Sequence, residues 1–342
     1  MTVWLFRAGK NGEYENKFLE DNRIYLTWDR LNFNLKSIES KELLVEKLME
    51  HYDIEKKKTA INWASQIWPM ARKIDIGDYI ALPSKLNRTI HIGVVKSQYI
   101  YDENLENPYF HYREIDWIKE DIPRERFDQD ILYSLGAFMT VCKIQRNNAE
   151  ERIKEMKNNG WQVPKNKRTV QLVDESEEPA SIDIEEFIYD QISERIIRKF
   201  KGSKMETLIE EILKAQGFTT FKSPEGSDHG VDILASSDLL GFGSPRICAQ
   251  VKTEDSPLDR PTLDQLVGTM SNFNADYGLL VSWSGFKSSV TREVPKHFFK
   301  VRLWDSKTII QQIFEHYDNL SDDIKNEIPI KRVWMLDKEI EE

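Results

Sequence analysis

Two short segments carry residues whose chemistry suits the hydrolysis of a phosphodiester bond. The first, 228–235, places Asp232 at the start of an apolar run typical of a strand, and the second, 247–252, ends in Gln250-Val-Lys252. On adjacent strands, a carboxylate, an amide oxygen and an amine would surround a divalent cation and the attacking water. Each segment alone is more often a solvated turn or an edge strand. In this order, with Gln250 18 positions after Asp232, they indicate a metal-dependent nuclease site.

The neutral Gln250 limits how strongly such a site binds metal. An amide oxygen is a poorer Mg²⁺ ligand than a carboxylate, because hard cations prefer charged oxygens. The predicted ligands are Asp232, Gln250 and the backbone carbonyl of Val251, completed by water and a substrate phosphate. Lys252 would orient or activate the attacking water and offset the negative charge that develops on phosphorus.

The surrounding pattern predicts the elements that hold this site. Apolar residues at 205, 208, 209, 212 and 213 lie on one face of a helix, and Gly217 follows it as a helix C-terminal glycine. Apolar runs at 277–283 and 301–305 predict two further strands. Asp228, at the start of the first catalytic segment, is expected to form the turn there.

Residues 202–315 resemble the Mrr-type restriction endonuclease domain of the PD-(D/E)XK superfamily. Five pieces in the same order carry the resemblance: the helix end Ala-Gln-Gly-Phe at 215–218, Asp-x-Gly-Val-Asp at 228–232, Gln-Val-Lys at 250–252, Leu-Leu-Val-Ser at 279–282 with Gly-Phe at 285–286, and Leu-Trp-Asp at 303–305. The resemblance implies a mixed sheet flanked by helices. It also implies hydrolysis of DNA that depends on Mg²⁺, for which Mn²⁺ can substitute.

The resemblance also implies roles for single residues. Asp232 matches the metal-binding aspartate, and Lys252 matches the catalytic lysine. Gln250 stands where the wider superfamily has Asp or Glu and the Mrr branch commonly has Gln. Glu206 occupies the place of a helical glutamate that supports the metal in many relatives, although Met205 replaces the usual aromatic before it. A surface charge on a helix is an equally good interpretation of Glu206.

Residues 1–162 form a separate region with the pattern of a small β-barrel into which helices are inserted. Helical spacing covers 39–68, and Pro69 is predicted to end it. Strand patterns occur near 2–8, 24–28, 78–83, 89–95, 109–118 and 137–142.

This region resembles the PUA/EVE-like modules that precede Mrr-type nucleases, through residues 4–9, 76–80, 92–95 and 112–117. Such modules are implied to accept a flipped, often modified, base in an aromatic-lined pocket. The predicted contacts are stacking faces from Trp28 and Trp117 and polar groups from Arg7, Arg113 and Ser134. For each tryptophan, a place in the hydrophobic core is the commoner alternative.

The remaining segments complete the predicted organisation. Residues 163–181 are polar and acidic at their end, as in a linker. The nuclease domain is predicted over 182–316, and 317–342 form an acidic C-terminal extension. The two cysteines are expected to be buried free thiols. With no membrane span or signal peptide in the pattern, they predict a cytoplasmic setting.

The charge distribution bounds how the chain would bind nucleic acid. The net charge is −10, and residues 201–305 contain 12 Lys and Arg against 14 Asp and Glu. Because no basic arm is present in the sequence, we expect modest and salt-sensitive affinity for DNA.

These patterns predict an α/β (α+β) protein with two domains and two candidate functions. The first is a type IV-like, modification-dependent endonuclease. It would act on double-stranded DNA as a homodimer, with no membrane partner, in defence against foreign DNA. The alternative is a DNA- or nucleotide-sensing protein whose nuclease domain is inactive or is switched on by a small nucleotide. The neutral Gln250 keeps that alternative open.

Overall fold

A computed structural model describes residues 1–137, 139–145, 147–162, 184–224, 230–254 and 256–334. The predicted linker at 163–181 and the predicted turn former Asp228 lie outside these residues. The contacts divide the chain into a first unit, Met1–Asp190, and a second unit, Gln191–Trp334. None of the helices in the described ranges is long and apolar enough to cross a membrane.

The first unit is built on a curled sheet, which in the described residues has seven strands. The strand order is β2-β6-β4-β3-β1-β7, and β5 pairs with β6. β1 runs parallel to β3, while the other pairs are antiparallel. The strands are β1 (Val3–Phe6), β2 (Arg23–Tyr25), β3 (Tyr79–Pro83), β4 (Thr89–Val95), β5 (Ile100–Tyr101), β6 (His111–Pro123) and β7 (Val141–Ile144).

Alternation along β1 separates two hydrophobic cores in this unit. Successive strand side chains point to opposite faces, so Trp4 and Phe6 enter the larger core while Val3 and Leu5 enter the smaller one. Helices α2 and α3 supply the larger core, and α4 and α5 supply the smaller one. The helices are α1 (Glu15–Glu20), α2 (Lys41–Tyr52), α3 (Lys57–Arg72), α4 (Gln129–Leu135) and α5 (Ala149–Asn158).

The predicted helix end at Pro69 is wrong, because Pro69 lies inside α3, which continues to Arg72. Proline removes one N–H donor from the helix, but its own carbonyl still accepts from the N–H groups of Lys73 and Ile74. These two bonds keep the last turn closed.

The second unit contains a mixed sheet of order β12-β11-β10-β9-β8 in its described residues. β10, β11 and β12 are parallel, whereas β8, β9 and β10 are antiparallel neighbours. The strands are β8 (Thr219–Lys222), β9 (Ile233–Ser236), β10 (Arg246–Lys252), β11 (Tyr277–Ser282) and β12 (Val301–Trp304). This arrangement confirms the predicted mixed sheet and the α/β fold class.

Helices flank this sheet, as expected. They are α6 (Ile184–Lys199), α7 (Ser203–Ala215), α8 (Arg260–Asn272), α9 (Ser288–Thr291), α10 (Ser306–His316) and α11 (Asp322–Glu327). The division between the units falls inside α6, whereas the sequence placed it before this helix. α8 packs on the sheet through Leu263, Leu266 and Met270. A Cβ at Gly278 would lie 2.8 Å from the Met270 sulfur, so glycine permits this close packing.

Both cysteines are free thiols. Cys248 is buried and Cys142 is half-buried. Burial raises the pKa of each thiol to about 11, so both are protonated at neutral pH and neither is a ready nucleophile.

Candidate active site

Asp232 is attached to β10 by both its backbone and its side chain. Its N–H donates to the carbonyl of Ala249 at 2.9 Å, and its Oδ2 accepts from the N–H of Val251 at 2.6 Å. Asp232 immediately precedes β9, which pairs antiparallel with β10. The two segments predicted to be catalytic are therefore neighbours, and the carboxylate contacts the strand backbone between Gln250 and Lys252.

Gln250 is buried, with 2% of its surface exposed. Its Oε1 atom has no hydrogen-bond partner in the part of the chain that the structure describes. A buried acceptor without a partner costs about 1–3 kcal/mol, and a bound cation would offset that cost. A carboxylate and an amide oxygen are both ligands that a hard divalent cation accepts. These residues therefore fit the metal that the nuclease chemistry needs.

The two residues differ in charge as metal ligands. Asp232 would supply a carboxylate oxygen and Gln250 a neutral amide oxygen. Among the described residues, no group of three or more His, Cys, Asp and Glu side chains could hold an ion. We expect weaker binding than at a site with two or three carboxylates.

Lys252 ends β10 and is half-buried. It lies two residues after Gln250, so both side chains point to the same face of the strand. In the register with β11, Gln250 is beside Leu280 and Lys252 is beside Ser282. Contact of the Lys252 amine with a substrate phosphate stays a prediction.

Glu206 lies on α7, with its carboxylate 3.5 Å from the amine of Lys222. Lys222 also donates to the carbonyl of Ser203 and to Thr207 Oγ1, both at 2.9 Å. In the β8–β9 register Lys222 is opposite Ile233, the residue after Asp232. Glu206 is therefore near the Asp232 strand, but its charge already has a cation beside it, and its contact with a metal stays a prediction.

Two residues that the sequence analysis missed approach the turn before Asp232. A Cβ at Gly230 would lie 3.4 Å from Thr269 Oγ1 and 3.6 Å from Gln265 Nε2, both on α8. Thr269 is buried although its neighbours on that face are apolar. A polar residue on the apolar face of a helix was the available signal.

The residues predicted to bind a base are not gathered into one cluster. Trp28 and Trp117 both pack at the edge of the larger core of the first unit, and the Trp117 indole donates to the carbonyl of Phe18 at 3.4 Å. Ser134 lies on α4, which packs into the smaller core, and its hydroxyl donates to the carbonyl of Asp130 within the helix.

The two predicted arginines have backbone partners. Arg113 is 1% exposed, and it donates to the carbonyls of Met70 at 2.8 Å and Ser97 at 3.1 Å. Burial lowers its pKa to about 10. Arg7 donates through Nε and Nη2 to the carbonyl of Ala137. Arg113 thus joins α3 to the segment after β4, and contact of either arginine with a base stays a prediction.

Buried histidines in the first unit form hydrogen-bond chains that the sequence did not indicate. His111 Nε2 donates to the carbonyl of Leu31 at 2.6 Å, and its Nδ1 accepts from the Tyr99 hydroxyl at 2.7 Å. Burial lowers the pKa of His111 to about 4. The ring is therefore neutral at pH 7 and stabilises the loops around it.

The comparisons with known families cover both units. Residues 197–313 match the family model Mrr_cat, described as a restriction endonuclease, and residues 4–136 match a domain of unknown function, DUF8426. The second unit thus contains an Mrr-type restriction endonuclease domain. This family generally uses divalent metal ions. The PUA/EVE-like resemblance of the first unit stays a prediction.

Solved structures give weaker similarities. The restriction endonuclease MspJI in complex with a 27-mer oligonucleotide is 13% identical over 90% of this chain and 73% of its own, with a TM-score of 0.33. The DNA modification-dependent restriction endonuclease AspBHI is 11% identical over 74% and 66%, with a TM-score of 0.32. AF1548, a protein of unknown function, is 11% identical over 31% and 64%, with a TM-score of 0.25. The chain covers less than two thirds of the length of AspBHI and of AF1548. No curated protein matches the chain.

Proposed function

We propose that this protein is a Mg²⁺-dependent DNA endonuclease that restricts foreign DNA, in which the first unit recognises a modified base. One observation supports the cleavage site above all others. Inside the restriction endonuclease domain, the Asp232 carboxylate accepts from the N–H of Val251. Val251 follows Gln250, whose Oε1 is buried without a hydrogen-bond partner among the described residues.

Asp232, Gln250 and the Val251 carbonyl would hold the cation, and Mn²⁺ would substitute for Mg²⁺. The bound ion would supply Lewis acidity and favour ionisation of a water molecule. The Val251 N–H donates to the Asp232 carboxylate and would orient it towards the ion. The ammonium of Lys252 would bind the attacking water or a phosphate oxygen and stabilise charge that develops on the phosphoryl group.

Recognition of a modified base is assigned to the first unit. Trp28 and Trp117 are half-buried at the edge of an aromatic-rich core, and a partly exposed ring offers a face on which an extruded base can stack. The substrate would be double-stranded DNA. A homodimer would place one active site on each strand, as a double-strand break requires.

A plasmid-cleavage assay with Mg²⁺ tests this function. The substrates are unmodified, methylated, hydroxymethylated and glucosylated DNA, and the variants are Asp232→Ala and Lys252→Ala. Lys300→Ala, at an exposed position of the same unit, is the matched control. We expect the first two variants to lose cutting while they still bind DNA, and the control to cut normally. Equal residual cutting by all four proteins would indicate a contaminating nuclease and would refute the proposal.

The neutral Gln250 at the predicted metal site favours one alternative function. With an amide oxygen in place of a charged ligand, the domain could bind DNA without cutting it until a small nucleotide activates it. This sensor would retain DNA at every Mg²⁺ and Mn²⁺ concentration without cutting it. Cleavage by the purified protein with metal alone would exclude it.

A further inference from the structure

Two carboxylates of α6 lie among four cationic side chains of the first unit. We define these four, Arg7, Lys85, Arg88 and Arg124, as the cation cluster. Arg124 is 2% exposed and donates to Asp190 through Nε at 2.7 Å and Nη2 at 2.6 Å. Arg88 donates to the same carboxylate at 2.6 Å. Asp190 is thus held by two guanidinium groups in short, charge-assisted bonds.

Glu186, one helical turn before Asp190, is held less closely. Its carboxylate lies 3.1 Å from Arg124 Nη1, 3.6 Å from Arg7 Nη2 and 3.8 Å from Lys85 Nζ. The last two distances exceed that of a direct hydrogen bond. Arg124 Nη1 is buried and has no partner of hydrogen-bond geometry among the described residues. The cluster therefore has donor capacity that a carboxylate at this position does not satisfy.

The cluster brings four cations to the two α6 carboxylates, and Glu125 also acts on Arg88 and Arg124. Burial lowers the pKa of Arg88, which reflects the cost of removing this cation from water. A phosphate group carries more acceptor oxygens than a carboxylate and suits several guanidinium groups at once.

The four cations also come from separate parts of the chain. Arg7 follows β1, Lys85 and Arg88 lie between β3 and β4, and Arg124 follows β6. Arg88 adopts a left-handed backbone conformation, with φ of 50°, which a non-glycine residue rarely takes without compensation. The fold thus brings these four cations together from separate parts of the chain.

We propose that the cation cluster is a binding site for a phosphate group of the DNA backbone, which Glu186 and Asp190 occupy when DNA is absent. That the bound phosphate belongs to DNA rests on the proposed function. That the cation cluster binds a phosphate group does not. DNA binding to this site requires exchange of the α6 carboxylates for phosphate. The acidic half of α6 therefore lowers the affinity of the free protein for DNA.

A pair of adjacent glutamates allows a matched test. Glu186→Gln removes one charge inside the cluster, and Glu185→Gln removes one charge at an exposed position of the same helical turn. Thermal unfolding is followed with and without inorganic phosphate at constant ionic strength. Binding of a 20-base-pair duplex is measured in EDTA over a range of salt concentrations.

We expect phosphate to raise the melting temperature of the Glu186→Gln protein by several degrees more than that of the Glu185→Gln protein. The duplex should bind Glu186→Gln about tenfold more tightly. The slope of log affinity against log salt should be steeper by about one for one added phosphate contact. Adding Lys85→Gln to Glu186→Gln should return the DNA affinity to the Glu185→Gln level.

Two results would overturn the proposal. In the first, the two glutamine variants respond alike to phosphate and duplex, which would make the cluster a purely structural group of ion pairs. In the second, Glu186→Gln stays unfolded at every phosphate concentration, which would mean that an external anion cannot replace the carboxylate. Phosphate and duplex binding are measured without divalent metal, so the test of the cation cluster does not depend on the cleavage assay. If the protein bound the duplex as expected but did not cut DNA, only the proposed endonuclease function would be refuted.

Discussion

Replacement of Gln250 by methionine should stabilise the metal-free protein and abolish its metal binding. Methionine has nearly the same length but no acceptor that must be satisfied. The Oε1 atom is buried without a partner among the described residues, and such an atom costs about 1–3 kcal/mol. We therefore expect Gln250→Met to raise the free energy of unfolding of the second unit by about 1–2 kcal/mol, or roughly 2–4 °C in melting temperature for each kcal/mol.

Gln250→Glu is the opposite perturbation at the same atom. A second carboxylate beside Asp232 should lower the stability of the metal-free protein, because two like charges in a buried site repel each other. Two unit charges about 4 Å apart interact by roughly 4 kcal/mol at an effective dielectric constant of 20. After the cost of desolvation, we expect a gain of about 1.4–2.8 kcal/mol in metal binding, or 10- to 100-fold in Kd.

Thermal unfolding during Mg²⁺ and Mn²⁺ titrations measures both effects. Wild type should show a moderate metal-dependent shift, Gln250→Glu a larger one and Gln250→Met none. If Gln250→Met kept the wild-type metal response, Gln250 Oε1 would not be a ligand of the ion, and the proposed metal site would be wrong.

Three further outcomes follow from the described contacts. Asp232→Asn should reduce Mg²⁺-dependent cutting at least 100-fold with little change in stability, as measured by cleavage kinetics and thermal unfolding, because Asn keeps an acceptor for the Val251 N–H but loses the charge. In His111→Asn, the loss of stability below pH 6.5 should be reduced. The pKa of His111 falls to about 4 in the folded state. Its contribution to the free energy of unfolding is therefore complete above pH 6.5 and declines by about 3 kcal/mol as the pH falls to 4. Denaturant unfolding at pH 4–8 measures this decline, and an identical pH profile for the variant would contradict it. Gly93→Ala should destabilise the first unit by about 1–3 kcal/mol in denaturant unfolding, since its Cβ would clash with Ile115 and approach Trp117 Cε3 at 2.8 Å; wild-type stability would show that the strand can move aside.

The mixed sheet of the second unit could be predicted because its signals are local. Each strand is an apolar run between turn residues, and residue order limits which strands become neighbours. Gln250 and Lys252 share a face because strand side chains alternate. The pairing of β9 with β10 then places Asp232, which precedes β9, beside β10. These are short-range consequences of the sequence.

Other features depend on partners far along the chain, and periodicity carries no information about them. Arg113 was predicted to contact a base, yet two of its nitrogens bond to backbone carbonyls, one of them 43 positions away. Arg88 and Asp190 are 102 positions apart, so the cation cluster could not be anticipated. The continuation of α3 beyond Pro69 was not predicted. The Pro69 carbonyl still accepts hydrogen bonds from Lys73 and Ile74, and these bonds preserve the final turn.

The position of a bound Mn²⁺ ion tests the central claim most directly. Crystals of the Lys252→Ala protein with duplex DNA and Mn²⁺ would locate the ion by its anomalous scattering. We predict one peak about 2.0–2.3 Å from both a carboxylate oxygen of Asp232 and Oε1 of Gln250. A peak bound by other residues, in a protein whose wild type cuts DNA with Mn²⁺, would contradict the assignment of the active site.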